Sequence, residues 1–232
     1  MAKSAHGVAF FYVLCYNGAK EKRVKEVLVM IKNIVFDFGQ VMIRFDPWYM
    51  VRRYVSNEED VALLVPVIFD RLYWNRLDAG TITDEEVIRA CRERLPARLW
   101  GSVEEIYYNW VYNLPPIEGM EELVRDVKKR GFRIFLLSNI STYFADHADA
   151  HPVLELFEKR IYSAVCGMTK PNKDIFEHLC RECDIQPEET VFVDDSPANI
   201  AGAESVGITG YLFDGDVTRL RAYIDSLCEF PS

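Results

Sequence analysis

The stretch VFVDDSPANIAGAESVGI, residues 191–208, decides the fold class. It opens with apolar β-branched and aromatic residues, which are typical of a buried strand, and two carboxylates, Asp194 and Asp195, follow at once. Pro197 then begins a segment with a helical pattern. A strand that ends in polar residues and passes directly into a helix indicates a βα unit of a parallel sheet, and such sheets bind ligands at the carboxyl ends of their strands.

The same arrangement recurs along the chain. Short runs rich in Val, Ile and Phe, bounded by polar or turn residues, predict five buried strands, over residues 31–38, 132–139, 160–167, 190–195 and 208–214. Amphipathic stretches predict helices over 119–130, 171–183 and 197–205, each long enough to connect two parallel strands. This alternation predicts an α/β layered fold.

Residues 46–116 break the alternation, because they contain no strand pattern but several helical ones, among them 84–95 and 102–112. We interpret this segment as an insertion of helices after the first strand, with most of its many aromatic residues packing in its own core. The predicted domains are therefore an N-terminal extension at 1–29, a core formed by 30–45 and 117–232, and a helical insertion at 46–116.

Composition excludes several classes of protein. The chain has 232 residues, of which 50% are apolar and 27% charged, as in a soluble globular protein of one or two domains. Its net charge of −9 repels nucleic acid and anionic lipid, so we expect neither as a partner. Residues 1–29 carry +3 and the remainder −12, but the apolar run at 7–16 is too short to span a bilayer. Six scattered cysteines favour a reducing, cytoplasmic compartment.

Four of the predicted strands lead into polar side chains. Each such residue alone is typical of a helix N-cap or a solvated side chain, but the carboxyl ends of parallel strands meet at one edge of the sheet, so we expect them to lie together. The residues are Asp37, Ser138, Asn139, Lys170, Asp194 and Asp195. The sequence therefore predicts one polar site built from distant segments.

The chemistry of this set indicates phosphoryl transfer. Three carboxylates at one edge repel each other unless a cation neutralises them, and an all-oxygen set suits Mg²⁺. The Ser138 hydroxyl, the backbone N–H of Asn139 and the Lys170 ammonium would supply donors to a phosphoryl group. An Asp beside Mg²⁺ and Lys can attack phosphorus, so that the displacement proceeds in two steps through an aspartyl-phosphate.

The motifs FDFG (36–39), LLSN (136–139), GMTKPNKDIF (167–176) and the stretch 191–208 resemble, in order and spacing, the haloacid dehalogenase-like (HAD) hydrolase superfamily across residues 30 to about 213. The segment WNRLDAGTITDEEV (74–87) is similar to the phosphatase branch that contains sugar-phosphate phosphatases and the phosphatase domain of epoxide hydrolases. The resemblance implies a Rossmann-like three-layer core with a parallel sheet and an inserted α-helical cap at 46–116. It also implies an enzyme, a Mg²⁺-dependent hydrolase of a small, sugar phosphate-like phosphomonoester.

The resemblance also implies a role for each matching residue. Asp37 would be the nucleophile and a metal ligand, the carbonyl of Gly39 a second ligand, and Asp195 a direct ligand of Mg²⁺, with Asp194 holding a metal-bound water. Asn199 would orient this loop or cap its helix. The residues implied to bind the phosphoryl group are Ser138, Asn139 and Lys170, of which Lys170 also bridges nucleophile and phosphate. The partner would be a small phosphorylated metabolite, and the enzyme a monomer or homodimer.

The chain departs from this pattern at Gly39. Most phosphatases of the superfamily carry a second Asp there, which protonates the leaving alcohol and then activates water. Three outcomes follow: an enzyme that favours good leaving groups such as sugar 1-phosphates, acyl phosphates or aryl phosphates, another proton donor such as Asp46 or a cap residue, or loss of catalysis.

Two further hypotheses combine the same fold with a different function. A metal-independent haloacid dehalogenase needs no acid, but Asp194 and Asp195 would repel the substrate carboxylate of such an enzyme. A binding module with little or no activity would not need the phosphate-binding and metal-binding residues that are present together here. For the face of the cap that meets the substrate, the sequence suggests Arg52, Arg53, Trp74 and Arg76.

Overall fold

The structure is a computed structural model that describes residues 9–16 and 22–227, with side chains from residue 30 onward. The first two strands, β1 (Ala9–Tyr16) and β2 (Lys22–Val29), pair antiparallel and form a sheet of their own. The sequence analysis did not predict these two strands. The assignment of 1–29 as a peripheral extension stays a prediction.

Five strands form the central sheet: β3 (Asn33–Phe36), β4 (Arg133–Ser138), β5 (Lys159–Tyr162), β6 (Thr190–Asp194) and β7 (Thr209–Leu212). Their order is β5-β4-β3-β6-β7 and every pairing is parallel, which confirms the predicted sheet. Ile34 of β3 lies opposite Ile134 on one side and Val191 on the other. The chain leaves β3 toward β4 and β5 and later returns on the other side as β6, so the ligand-binding switch point of such a sheet lies at the carboxyl end of β3.

The predicted strand at 160–167 is wrong in its second half. The strand ends at Tyr162, and Ser163–Cys166 forms the short helix α8, which Gly167 ends with a φ of 70°. The cause is the fully buried Ser163, whose hydroxyl accepts a hydrogen bond from Ile140 N and donates one to the carbonyl of Asp78. These contacts fix a turn, although the apolar residues of 160–167 alone favour continuing the strand.

Helices cover both faces of the sheet. They are α6 (Met120–Lys129), α7 (Thr142–Asp146), α9 (Lys173–Cys183), α10 (Pro197–Glu204) and α11 (Val217–Ser226). Side chains of β3 alternate between the two faces: Ile34 and Phe36 pack in one buried cluster and Val35 in another, as the two-residue period of a strand requires. The result is the predicted three-layer α/β core.

Helices also fill the long connection from β3 to β4. They are α1 (Pro47–Arg52), α2 (Glu58–Ile68), α3 (Arg71–Asp78), α4 (Asp84–Arg94) and α5 (Trp100–Asn109). The starts of α2 and α4 follow from capping, since Asn57 accepts hydrogen bonds from the first turn of α2 and Thr83 forms a capping box with Glu86. Val61, Leu64, Ile106 and their neighbours form a separate buried cluster among these helices. The role of 46–116 as a cap stays a prediction.

No helix in the described part of the chain is both long enough and apolar enough to cross a membrane.

Candidate active site

A cavity of about 320 Å³ lies at the carboxyl ends of β3, β4 and β6. Its walls come from the loops that follow these strands, from the loop before α9, and from α3 of the inserted helices. The predicted site residues that line it are Asp37, Gly39, Ser138, Asn139, Lys170 and Asp195. Asp194 is fully buried and contacts Lys170, so the structure brings the whole predicted set together.

Lys170 is the centre of the polar contacts. Its Nζ donates to Asp37 Oδ1 at 2.8 Å, to Asp194 Oδ2 at 2.7 Å and to the carbonyl of Leu137 at 3.0 Å. Burial alone would lower the pKa of Lys170, but the charges of Asp37 and Asp194 outweigh burial and hold the pKa above its ordinary value. Lys170 is therefore a permanent positive charge inside the site.

Asp37 directly follows β3, where its N–H donates to the carbonyl of Val193 and continues the pairing with β6. Its Oδ1 also accepts a hydrogen bond from Phe38 N at 2.7 Å. Burial raises the pKa of Asp37 to about 6, the charge of Asp194 adds to the rise, and Lys170 and Ser138 oppose it. The carboxylate is thus ionised at neutral pH but poorly solvated, as a nucleophile requires.

Asp194 is held by four hydrogen bonds. Its Oδ1 accepts from Ser196 N at 2.8 Å and from Asn199 Nδ2 at 3.0 Å, and its Oδ2 accepts from Lys170 and, at 3.1 Å, from the same Asn199 amide. Asn199 therefore orients Asp194. These four contacts fill the lone pairs of the carboxylate, so a metal-bound water on Asp194 would replace one of them.

Two contacts fix the loop that carries Lys170. The side chain of Asn139 donates to the carbonyl of Lys170 at 2.9 Å and accepts from its N–H at 2.8 Å, so the contribution of Asn139 to a phosphoryl group rests on its backbone N–H. On the other side α10 approaches so closely at Gly202 that a Cβ there would lie 2.3 Å from the carbonyl oxygen of Pro171. Both contacts hold Lys170 against the ends of the strands.

The donor set fits a divalent cation. One oxygen from each of Asp37, Asp194 and Asp195 lies within 4.8 Å of the others. Asp195 is the exposed member, and partial burial together with the charge of Asp194 raises its pKa. Three carboxylates face one buried ammonium, which leaves an excess of negative charge, and carboxylate oxygens are the ligands that Mg²⁺ prefers.

The inserted helices reach the site through one face of α3. Arg71, Trp74, Asn75 and Asp78 line the cavity, and their spacing of three, four and seven residues places them on the same side of a helix. Of these four residues, only Trp74 was predicted from the sequence to face the substrate. The helical period could have identified the other three, because a helix that faces the site at Trp74 must also present positions 71, 75 and 78 to it.

The three arginines suggested from the sequence for this face lie elsewhere. Arg52, Arg53 and Arg76 are not among the residues that line the cavity. Arg52 pairs with Glu58 at 2.9 Å on the surface, and Arg76 donates to the carbonyl of Thr81.

Three aromatic side chains that line the cavity pack together and form an apolar wall: Phe45, Trp74 and Trp110. Their rings meet edge to face, with centroids 5.3 Å apart for Phe45 and Trp74 and 5.1 Å for the two tryptophans. The Nε1 of Trp74 donates to the carbonyl of Ile68 at 2.7 Å, which fixes the ring. Trp74 and Trp110 pack with the core of the sheet and not with the helical cluster, so they depart from the expectation that aromatics of the insertion mainly form its own core. Tyr107 packs within the helical cluster, with the partly buried Tyr54, Phe69 and Tyr73 against it, as expected.

Asp78, at the end of α3, is anchored by its backbone while its side chain is unpaired. Its carbonyl accepts the Ser163 hydroxyl at 2.6 Å, and Gly80, with a φ of 66°, lets the chain pass close to the carbonyl of Ala164. No described residue gives its carboxyl group a hydrogen bond or ion pair. Burial raises the pKa of Asp78 to about 7, the charge of Asp37 adds to the rise, and Arg71 and Lys170 oppose it.

Asp78→Asn should stabilise the protein at high pH but not at low pH. The folded state raises the pKa from 3.8 to about 7 and so binds the proton more tightly than the unfolded chain. The folded protein therefore loses stability as pH rises between these two pKa values, because folding then buries a charged carboxylate. We expect the variant to be more stable than wild type by about 2–3 kcal/mol at pH 8 in EDTA, a rise of about 4–10 °C in Tm, and close to wild type at pH 4.5. A difference in Tm that stays constant across these pH values would contradict this.

A model of the haloacid dehalogenase-like hydrolase family matches residues 20–207, most of the chain. The sesquiterpene phosphatase astK of Aspergillus oryzae is 27% identical over 183 residues, which cover 77% of this chain and 88% of that protein. The D-ribitol-5-phosphate phosphatase of Bacteroides thetaiotaomicron is 24% identical over 188 residues, with coverages of 77% and 89%. A HAD family enzyme of Bacteroides thetaiotaomicron, solved in complex with magnesium and inorganic phosphate, superposes with a TM-score of 0.64 at 23% identity, over 82% of this chain and 98% of that one.

The family model matches most of the chain, and the parallel sheet with its acidic edge and buried lysine agrees with that match. The chain belongs to the haloacid dehalogenase-like hydrolase family and is an enzyme. The two curated relatives described above, which the chain covers to 88% and 89%, are named as phosphatases.

Proposed function

We propose that the enzyme hydrolyses a small, sugar phosphate-like phosphomonoester through an aspartyl-phosphate on Asp37, with Mg²⁺ as cofactor. The observation that carries the proposal is the contact of the poorly solvated Asp37 carboxylate with the Lys170 ammonium, inside a cavity with an excess of negative charge. The named activities of the two phosphatase relatives support the same reaction type.

In this mechanism three residues bind the phosphoryl group and a fourth attacks it. Lys170 keeps Asp37 oriented and binds a phosphoryl oxygen, which would replace one of the three acceptors of its ammonium group, while the Ser138 hydroxyl and the Asn139 N–H bind further phosphoryl oxygens. Asp37 attacks phosphorus, the leaving alcohol departs, and water then hydrolyses the acyl phosphate. Asp37, the Gly39 carbonyl and Asp195, with Asp194 beside them, would hold Mg²⁺, which when bound neutralises the charge of the phosphoryl group.

The volume and the aromatic wall of the cavity restrict the size and chemistry of the substrate. A volume of about 320 Å³ suits a metabolite of a few carbon atoms beyond the phosphate. The aromatic wall offers apolar faces to the leaving group, which suit the C–H faces of a sugar or another compact carbon skeleton. A cytoplasmic location and a monomeric or homodimeric state remain predictions from the sequence.

Binding of Mg²⁺ should stabilise the protein. With Mg²⁺ at about a hundred times its Kd, linkage adds about 2.7 kcal/mol, which for a chain of this size raises Tm by about 5–10 °C. Asp195→Asn removes one ligand and should lose most of this rise, whereas Asp46→Asn, at the exposed N-cap of α1, should keep it. A wild-type Tm that does not respond to Mg²⁺ would contradict the metal assignment.

Substrate assays test the reaction itself. We expect release of phosphate from 4-nitrophenyl phosphate and from some members of a panel of sugar phosphates, only when Mg²⁺ is present. A prenyl phosphate in the same panel tests whether the aromatic wall favours an apolar leaving group over a sugar. Release of chloride from 2-chloropropionate in EDTA, without phosphatase activity, would replace this proposal with the dehalogenase reading.

A further inference from the structure

Taking the proposed phosphatase reaction as its basis, we propose that Asp78 is the acid that protonates the leaving oxygen. It would act from α3 in place of the carboxylate that the chain lacks at Gly39. The juxtaposition that carries this proposal is a carboxyl group, without a partner among the described residues, in the wall of the cavity that also contains Asp37 and Gly39.

Few other groups on the cavity wall can carry this proton. The lining carboxyl groups are Asp37, Asp78 and Asp195, and the first is assigned as nucleophile and the last as metal ligand. Arg71 and Lys170 also line the cavity, but Lys170 is engaged by both carboxylates and a guanidinium holds its proton too tightly for general acid catalysis. Asp78 is therefore the remaining acid.

Asp46, the other candidate from the sequence, is engaged elsewhere. Its Oδ1 accepts the N–H of Tyr49 as the N-cap of α1, its side chain is exposed, and it does not line the cavity. This makes Asp46 a matched control, because Asn is as good an N-cap as Asp.

The surroundings of Asp78 favour its protonated form. The charged groups that act on its carboxyl are Arg71 on the same helix, Asp37 after β3 and Lys170 before α9. Burial outweighs both cations, so a substantial fraction is protonated near pH 7. The Ser163 hydroxyl, which holds the Asp78 carbonyl, positions this end of α3 on the core.

Asp78 gives up its proton in the first step of the reaction and regains one in the second. When Asp37 attacks phosphorus, the bond from phosphorus to the leaving oxygen breaks, that oxygen keeps the electron pair, and it takes the proton of Asp78 and departs as the alcohol. Water then attacks phosphorus and gives a proton to the Asp78 carboxylate, while Asp37 leaves as a carboxylate and inorganic phosphate is released.

The test compares two leaving groups at Asp78→Asn. An alkyl phosphate, the best sugar phosphate of the panel, needs the proton, whereas 4-nitrophenolate leaves without it. We expect kcat/KM for the alkyl phosphate to fall by about 10²–10⁴-fold and that for 4-nitrophenyl phosphate by less than about tenfold. Asp46→Asn should leave both values unchanged. Equal losses on both substrates at Asp78→Asn, or a selective loss at Asp46→Asn, would overturn the proposal.

A second variant tests the same assignment by gain of activity, and a pH profile of the wild type tests it without relying on Asp78→Asn. A Cβ at Gly39 meets no atom within 4 Å, so Asp can be placed there. In the background of Asp78→Asn, Gly39→Asp should restore alkyl phosphate hydrolysis at least about tenfold. In the wild type, the ratio of alkyl to aryl kcat/KM should fall as pH rises above about 7. A ratio independent of pH together with no rescue would overturn the proposal.

These outcomes separate the inference from the function on which it rests. If the wild type hydrolyses neither phosphate, the proposed function has failed. If it hydrolyses both in a manner that requires Asp37 but Asp78→Asn shows no selectivity for the leaving group, only the assignment of Asp78 has failed.

Discussion

Asp37→Asn is expected to lower kcat for every phosphate substrate by at least about 10⁴-fold, the largest effect of any single change in this enzyme. The amide has nearly the shape of the carboxylate but cannot attack phosphorus. Lys170 keeps Asp194 as a partner at 2.7 Å, so we expect the variant to fold. Loss of activity would therefore report on chemistry and not on structure.

The measurement is steady-state hydrolysis of 4-nitrophenyl phosphate with saturating Mg²⁺, with Tm recorded for each variant. Asp46→Asn, the same chemical change at an exposed N-cap outside the cavity, serves as the control and should retain wild-type kcat. A folded Asp37→Asn protein that keeps more than about one-tenth of the activity would exclude a nucleophilic role.

Lys170→Met should produce the largest loss of stability, about 3–5 kcal/mol, together with loss of activity. The side chain of Lys170 is 1% exposed and lies within 2.8 Å of both Asp37 and Asp194, so its removal leaves two buried carboxylates without a counter-charge. The loss should be smaller at pH 5 than at pH 8, because the pKa of Asp37 is about 6 and protonation removes part of the repulsion.

Denaturant unfolding in EDTA at the two pH values measures this effect. Lys173→Met is the matched control, since Lys173 lies on the same segment, is 72% exposed and pairs with Glu177 at 3.3 Å on the surface. It should change stability by less than about 0.5 kcal/mol. Equal unfolding free energies for the two variants would show that the buried ion pairs of Lys170 do not stabilise the protein.

The sheet and its acidic edge could be predicted because both follow from local signals. Buried parallel strands carry continuous apolar runs, and their carboxyl ends necessarily meet, so Asp37, Ser138 and Asp194 were placed together from the sequence. The helical insertion was equally visible, since α4 and α5 begin and end close to the predicted bounds.

The end of β5 and the orientation of α3 depend on contacts between distant segments. Nothing near Ser163 in the sequence shows that its hydroxyl meets the carbonyl of Asp78, and this contact both ends β5 and positions α3. The side of α3 that faces the cavity depends on the docking of one element on another, because spacing alone gives the helix but not its rotation. Only when Trp74 is taken as the residue that faces the site does the helical period select Arg71 and Asp78 from the charged residues of 46–116.

The covalent intermediate on Asp37 is tested most directly by quenching the reaction with acid during turnover of 4-nitrophenyl phosphate. The good leaving group makes formation of the acyl phosphate fast, so it accumulates before water hydrolyses it. Mass spectrometry of the peptides should then find the mass of one phosphoryl group on Asp37 in the wild type and none in Asp37→Asn. Turnover without a phosphoryl group on Asp37, or with one on another residue, would contradict the account.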